Sequence, residues 1–202
     1  MKKLIIGIIL FLFGFLLFAQ TEFTAGINLD YAYALWMSDD AANETTRHTQ
    51  MISAGAFFDA VYIRVNIGYQ CNFLKPSASS RNKATGITIE QNYSDNYHIS
   101  FLNFSVQLKY PISMQNIKLW PTIGGRYAYC LIYDFNGDGS NDLDSGLWDL
   151  NDFYLFGGAG IDVPFHPFFF SVQGLCHVNL TAERYETPLP GNTYNRFFEF
   201  MI

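Results

Sequence analysis

Apolar and polar residues alternate strictly along much of this chain. In residues 27–35, Ile27, Leu29, Tyr31, Tyr33 and Leu35 occupy one set of positions, and Asn28, Asp30, Ala32 and Ala34 the other. Successive side chains of an extended strand point to opposite faces, so the pattern predicts a strand with one apolar and one polar face. The period is clearest where Val61, Ile63, Val65, Ile67, Tyr69, Cys71 and Phe73 alternate with Tyr62, Arg64, Asn66, Gly68, Gln70 and Asn72. Extended along the chain, it predicts eight strands: about 23–35, 51–58, 61–73, 102–110, 122–133, 153–163, 168–180, and one from Tyr194. Several exceed the roughly 5–6 residues of a typical soluble strand. They match the roughly 9–11 that cross a bilayer at the usual tilt.

The connections alternate in length. Tight turns are expected at Asp59-Ala60, near Pro111 to Asn116, and near Pro164 to Pro167. The other four connections, about 36–50, 75–95, 134–150 and 182–193, are long and polar. Short turns at one end and long loops at the other are the pattern of an outer-membrane barrel, and an even strand count puts both chain ends at the short-turn side. In hydrocarbon an open sheet edge leaves backbone groups unpaired, so the sheet is expected to close. The fold expected is all-β: an eight-stranded antiparallel up-and-down transmembrane β-barrel over residues 20–202.

The first 19 residues carry a different signal. Lys2 and Lys3 precede an apolar run from Leu4 to Phe18, ending at Ala19-Gln20. A charged start, an apolar stretch and a small residue form a secretory signal peptide. The run is shorter than the roughly 20 residues of a spanning helix. Export through the secretory pathway to the outer membrane of a diderm bacterium is the localisation expected. Without Lys2 and Lys3 the chain has 10 basic and 18 acidic residues, a formal charge of −8. That disfavours nucleic acid, whose binding rests on Lys and Arg neutralising phosphates. Cys71, Cys130 and Cys176 are odd in number and widely spaced. They fit neither a disulfide framework nor a zinc motif.

A soluble eight-stranded barrel such as a lipocalin would also alternate, with its polar face in water. A water-facing set is rich in Lys and Glu, whereas this one is mostly Gly, Ala, Ser, Thr and Asn. Charged residues are only 15% of the chain, and aromatics are 18%, enough for the interfacial girdles of a membrane barrel. Trp36, Tyr97, Tyr133 and Phe153 are expected near the outer girdle, and Phe23, Tyr110, Trp120 and Phe168 near the inner one. Asp30, Arg64, Lys109, Arg126, Asp162 and Glu199 face inward by parity. Buried charges need partners, so a plugged interior rather than a wide pore is expected.

In pattern and architecture the mature chain resembles the small eight-stranded outer-membrane proteins of the OmpA/OmpX type. The resemblance implies a structural or binding role for surface loops. It implies as partners the lipid and lipopolysaccharide-type glycolipid of the outer membrane, its assembly machinery, and an extracellular ligand. Members of that group often end in an aromatic residue; here Phe198 and Phe200 keep the alternation but Ile202 follows.

Two constellations carry possible chemistry. In DFNGDGSNDLD, residues 134–144, Asp134, Asn136, Asp138, Ser140 and Asp142 take positions one, three, five, seven and nine of a calcium loop. Gly139 falls where such a loop turns sharply. The string resembles the DxNxDGxxD loops of FG-GAP-type propeller repeats. Ser145 stands where an EF-hand has its bidentate Glu, so the expected binding is weak, about 10⁻⁴–10⁻³ M. The plain alternative is an acidic surface loop. The second constellation is His98 and Ser100 in YHISF, spaced to share the lipid-facing side of a strand close to the outer leaflet. A His can activate a Ser hydroxyl, and the pair resembles the His-x-Ser of small barrels that deacylate lipid A. The Asn following that Ser in the family is Phe101 here. A polar pair at the membrane rim is the competing reading, and no catalytic residue or resident cofactor is assigned. The functional alternatives to a structural or binding barrel are a lipid A-modifying hydrolase and a narrow porin-like channel.

Overall fold

The computed structural model describes residues 23–39, 43–74, 77–92, 98–134, 138–139, 141, 151–165, 168–181 and 196–201. The expected leader, residues 1–19, lies outside them. The described chain is all-β, one antiparallel sheet of eleven strands that curls on itself. In chain order these are β1 (Thr24–Asp39), β2 (Asn43–Ala60), β3 (Ile63–Asn72), β4 (Ser77–Asn82), β5 (Thr88–Asn92) and β6 (His98–Lys109). There follow β7 (Ile112–Met114), β8 (Ile117–Asp134), β9 (Asp152–Phe165), β10 (Phe168–Asn179) and β11 (Arg196–Met201).

Eight of these coincide with the strands expected from alternation, and β4, β5 and β7 are additional. Each long strand pairs with its neighbours in the chain: β1 with β2, β2 with β3, β3 with β6, β6 with β8, β8 with β9, β9 with β10, and β10 with β11. β1 is bonded on its other side to β11, over Ala32–Met37.

Three connections differ from expectation. Residues 36–50 are not a long loop; β1 and β2 continue through them as a hairpin that closes at Asp39 opposite Glu44. The 75–95 segment contains the β4–β5 hairpin, and β4 pairs with the same upper part of β2, His48 opposite Ser77 and Asn43 opposite Asn82. These stretches (NETTRHTQ and SASSRN) are polar apart from Ala78. A strand with both faces polar has no alternation to reveal it, and its pairing is decided by the neighbouring backbone. In the turn near 111–116, β7 doubles back on Ile117–Leu119, with Gln115 in the left-handed region (φ 46°) at its corner.

Burial follows the alternation, with apolar side chains on the exposed face. Val65, Ile67 and Tyr69 of β3, Ile123, Tyr127 and Tyr129 of β8, and Phe168, Phe170 and Val172 of β10 are exposed. Between them Arg64, Gln70, Thr122, Arg126 and His177 are buried. A small apolar core, with Ala32, Ala34, Met51, Phe101, Ala128, Cys130, Tyr154 and Phe156, fills the long-loop half of the concave side. The other half is polar. No disulfide forms: Cys130 is buried, Cys176 exposed, and Cys71 between.

Candidate functional site

The concave face holds the charges that parity assigns there, arranged in layers. At the short-turn end Asp59 is the hub. Its Oδ2 accepts from Arg64 Nε (3.2 Å) and Nη2 (2.7 Å) and from Lys109 Nζ (2.6 Å). The Arg64 guanidinium lies between two rings, 4.6 Å from the centroid of Phe57 and 4.8 Å from that of Trp120. Trp120 Nε1 donates to Asp162 Oδ1 at 2.9 Å, and Ser171 Oγ donates to the same oxygen at 2.7 Å. A buried cation flanked by a carboxylate and aromatic faces is held by charge and by ring quadrupoles together.

Two members of this cluster are corrections to the sequence reading. Asp59, expected in a tight turn, is inside strand β2 and buried. Its signal was available, since it shares parity with Ser53, Gly55 and Phe57. Trp120, expected in the inner aromatic girdle, is only 1% exposed. β8 begins at Ile117, earlier than the expected 122, so Trp120 continues the inward set Thr122, Gly124, Arg126. Pro121 obscures that continuation in the sequence. The aromatic wedge needs room: a Cβ on Gly160 would stand 2.1 Å from Trp120 Cζ2.

A polar belt spans the middle. Asp30 accepts from Asn28 Nδ2 (2.5 Å) and Ser53 Oγ (2.8 Å), Asn66 Nδ2 donates to Ser105, and Asn103 Nδ2 to Gln70. Arg126 stacks on Tyr154, 4.1 Å from its centroid, and His177 packs against Phe156. Of the charges assigned inward by parity, the side chain of Glu199 lies outside the described residues. Asp152 joins the interior set, accepting from Tyr154 OH and Thr181 Oγ1.

The acidic loop is described only at Asp134, Asp138, Gly139 and Asn141. Asn136, Ser140 and Asp142 lie outside the described residues. The Asp134 carboxylate accepts from Gly139 N (2.8 Å) and Asp138 N (3.3 Å), and Gly139 takes φ +84°. Position one of the string therefore turns the chain back at positions five and six. Asn141 Oδ1 accepts from Tyr133 N at 3.1 Å, tying the loop to the end of β8. Among the described residues no three His, Cys, Asp or Glu side chains cluster as metal ligands.

His98 and Ser100 are not joined. A bulge separates Ser100 from Phe101, setting Ser100 opposite Ile132 and Phe101 opposite Cys130. Ser100, expected on the lipid-facing side, is instead 0% exposed, and its hydroxyl has no hydrogen-bond partner among the described residues. Asp134 stands across from His98 in register, but its carboxylate is engaged with its own loop. A different His–Ser contact forms where β2 meets β4: His48 Nε2 contacts Ser77 Oγ, and the His48 ring stacks on Tyr33. It joins residues 29 apart in sequence, beyond the reach of any spacing argument.

No protein-family model matches the chain, and no curated protein or solved structure is significantly similar to it.

Proposed function

We propose that this chain is an integral outer-membrane protein, an eight-stranded antiparallel up-and-down barrel of OmpA/OmpX-type architecture with surface loops in a structural or ligand-binding role. One observation carries the reading: large apolar side chains are exposed on the convex face of nearly every long strand, while Asp59, Arg64, Gln107, Arg126 and His177 are buried. That inverts the soluble arrangement, in which charged residues keep to water. It suits a chain whose outer solvent is hydrocarbon. Closure is supported by the pairing of β1 on both sides, to β2 and to β11, and by a ladder in which every neighbour is antiparallel. The Asp59–Arg64–Lys109–Trp120 cluster argues against a wide pore. A hydrolase is not favoured, since among the described residues no hydrogen bond reaches the buried Ser100 hydroxyl.

In this reading the β1–β2 extension, the β4–β5 hairpin and the 134–144 loop lie outside the cell. The turn that Asp134 makes with Gly139 supports a weak Ca²⁺ site in that loop. The test is fractionation of cells on a density gradient, followed by proteinase K treatment of intact cells with and without chelator. Co-sedimentation with the outer membrane, and cuts within 134–150 that increase on chelation, are expected. Recovery in a soluble fraction overturns the membrane reading, and cutting indifferent to calcium overturns the metal alone.

A further inference from the structure

β11 separates β1 from β10 over only part of their length. Its pairing ends at Met201, opposite Ala32 on one side and Leu175 on the other. In the same register, residues 25–30 of β1 and 168–173 of β10 face each other across a gap six positions long, with no strand between them among the described residues. Because β11 is antiparallel to both, the two edges run parallel to each other. Where β11 lies between them they are two strand spacings apart, about 9–10 Å. The outward side chains record the gap. Ile27, Leu29, Phe168 and Phe170 are 67–83% exposed, against 43–47% for Val65, Ile67 and Tyr69 in the continuous wall.

Every second residue of an edge strand turns its N–H and C=O to the gap. Such groups are costly to leave unpaired in hydrocarbon, and one extended segment antiparallel to both edges pairs them together. The walls also define which side chains that segment carries. In register, its outward positions lie between Leu29 and Val172, Ile27 and Phe170, and Ala25 and Phe168, an apolar surround. Its first inward position lies between Asp30 and Gln173, and its second between Asn28 and Ser171. The amide oxygens of Asn28 and Gln173, one on each edge, are buried with no hydrogen-bond partner among the described residues. Hydroxyl or amide donors suit these two positions. The third inward position lies between Gly26 and Phe169, where the interior is already filled. A Cβ on Gly26 would stand 2.6 Å from Phe57 Cζ, and the Phe57 ring reaches Phe169. Glycine fits there and a large side chain does not.

We infer that this seam is a docking slot for an extended segment of a different, exported polypeptide. The segment completes the sheet as an inserted strand, with apolar residues outward, donors at its first two inward positions and glycine at the third. Running antiparallel to both edges, it has its N-terminal end against the end of β11 and its C-terminal end at the short turns. The partner therefore offers a free, extended N-terminus. The unpaired edges of a second copy each belong to a sheet and meet one side of the slot at a time, whereas a free segment meets both. The inference rests on the membrane reading for its driving force and for entry from the periplasm, but the slot is tested on isolated protein.

The probe is a synthetic peptide, Ser-Val-Thr-Val-Gly-Phe, with a fluorophore at its C-terminus, added to the full mature chain refolded in detergent micelles. The comparison peptide, Val-Ser-Val-Thr-Phe-Gly, has the same composition with its two faces exchanged. Fluorescence anisotropy should show saturable binding of the first, at least about tenfold tighter than the second. Leu in place of the peptide's Gly should weaken binding about tenfold, since Phe57 and Phe169 occupy that space. On binding, hydrogen exchange of alternate amides in 25–30 and 168–173 should slow at least about tenfold, with β3 unchanged. Equal binding of the two peptides means adsorption to an apolar surface and overturns the proposal. Absence of binding overturns it as well: slow exchange along both edges then shows that β1 and β10 meet directly, and fast exchange that the gap stays open. Protection that rises with protein concentration in the absence of peptide assigns the slot to a second copy and overturns a different partner. Recovery of the protein in a soluble cell fraction overturns the membrane reading and leaves the peptide result as it stands.

Discussion

Asp59 is the residue on which the short-turn end depends, because it faces two buried cations at once. Its side chain and that of Arg64 are each 4% exposed, and that of Lys109 is 7% exposed. Removing one partner of a buried ion pair strands the other charge, at a cost of about 3–5 kcal/mol. Asp59→Ala should therefore lower stability by about that amount in denaturant titrations, with Lys109→Met costing clearly less because Arg64 keeps its carboxylate. A loss below about 1 kcal/mol for Asp59→Ala would show that the cluster is relaxed by water. Gly160 makes a sharper steric point. It has no side chain because the Trp120 ring occupies that space. Overpacking such a site costs about 1–3 kcal/mol, so Gly160→Leu should destabilise by that amount and shift tryptophan emission to the red. An unshifted spectrum would mean that the indole stays in place and the strands move instead.

Among the elements, the upper part of β2 was the hardest to read, and it is paired on both sides. Over Glu44–His48 it bonds to β1 on one side and β4 on the other. Thr46 lies between Met37 and Ser79 in register. Proline there removes a ladder N–H and bends the strand. Thr46→Pro should thus release β4–β5, and limited proteolysis should yield new cuts within 77–92 that the parent chain resists. An unchanged digestion map would show that the hairpin stands without β2. The strands that bury polar side chains under apolar ones were legible from period alone, because alternation records the difference between two solvents. Those polar on both faces carry no such record. The bulge at Ser100/Phe101 was likewise invisible: it shifts the register of one pair of strands, which no single strand encodes.

For the molecule as a whole, the ring of pairings is uneven. β11 meets β1 over Ala32–Met37 and β10 over Leu175–Val178. Below it, Thr24–Tyr31 of β1 and Phe168–Gly174 of β10 have no partner on that side among the described residues. Ile27 and Leu29 on this seam are 83% and 79% exposed, more than the other large apolar side chains described. Inside, Phe57 reaches Phe169 across it, ring centroids 6.2 Å apart. Amides facing this stretch should open locally. Hydrogen exchange along β1 should be at least about tenfold faster for alternate residues in 24–31 than for Ala32–Leu35. Uniform protection along β1 would mean that the seam is covered.

What the amino-acid order determined by itself is the local geometry: where strands run, which side chains share a face, and which of those faces is apolar. Those properties repeat every two residues and need no partner. Tertiary structure alone decided that Asp59 joins Arg64 and Lys109, that Trp120 turns inward, and that β4 docks on β2. Each depends on strands distant in sequence arriving in a particular register, and register is a property of the pair.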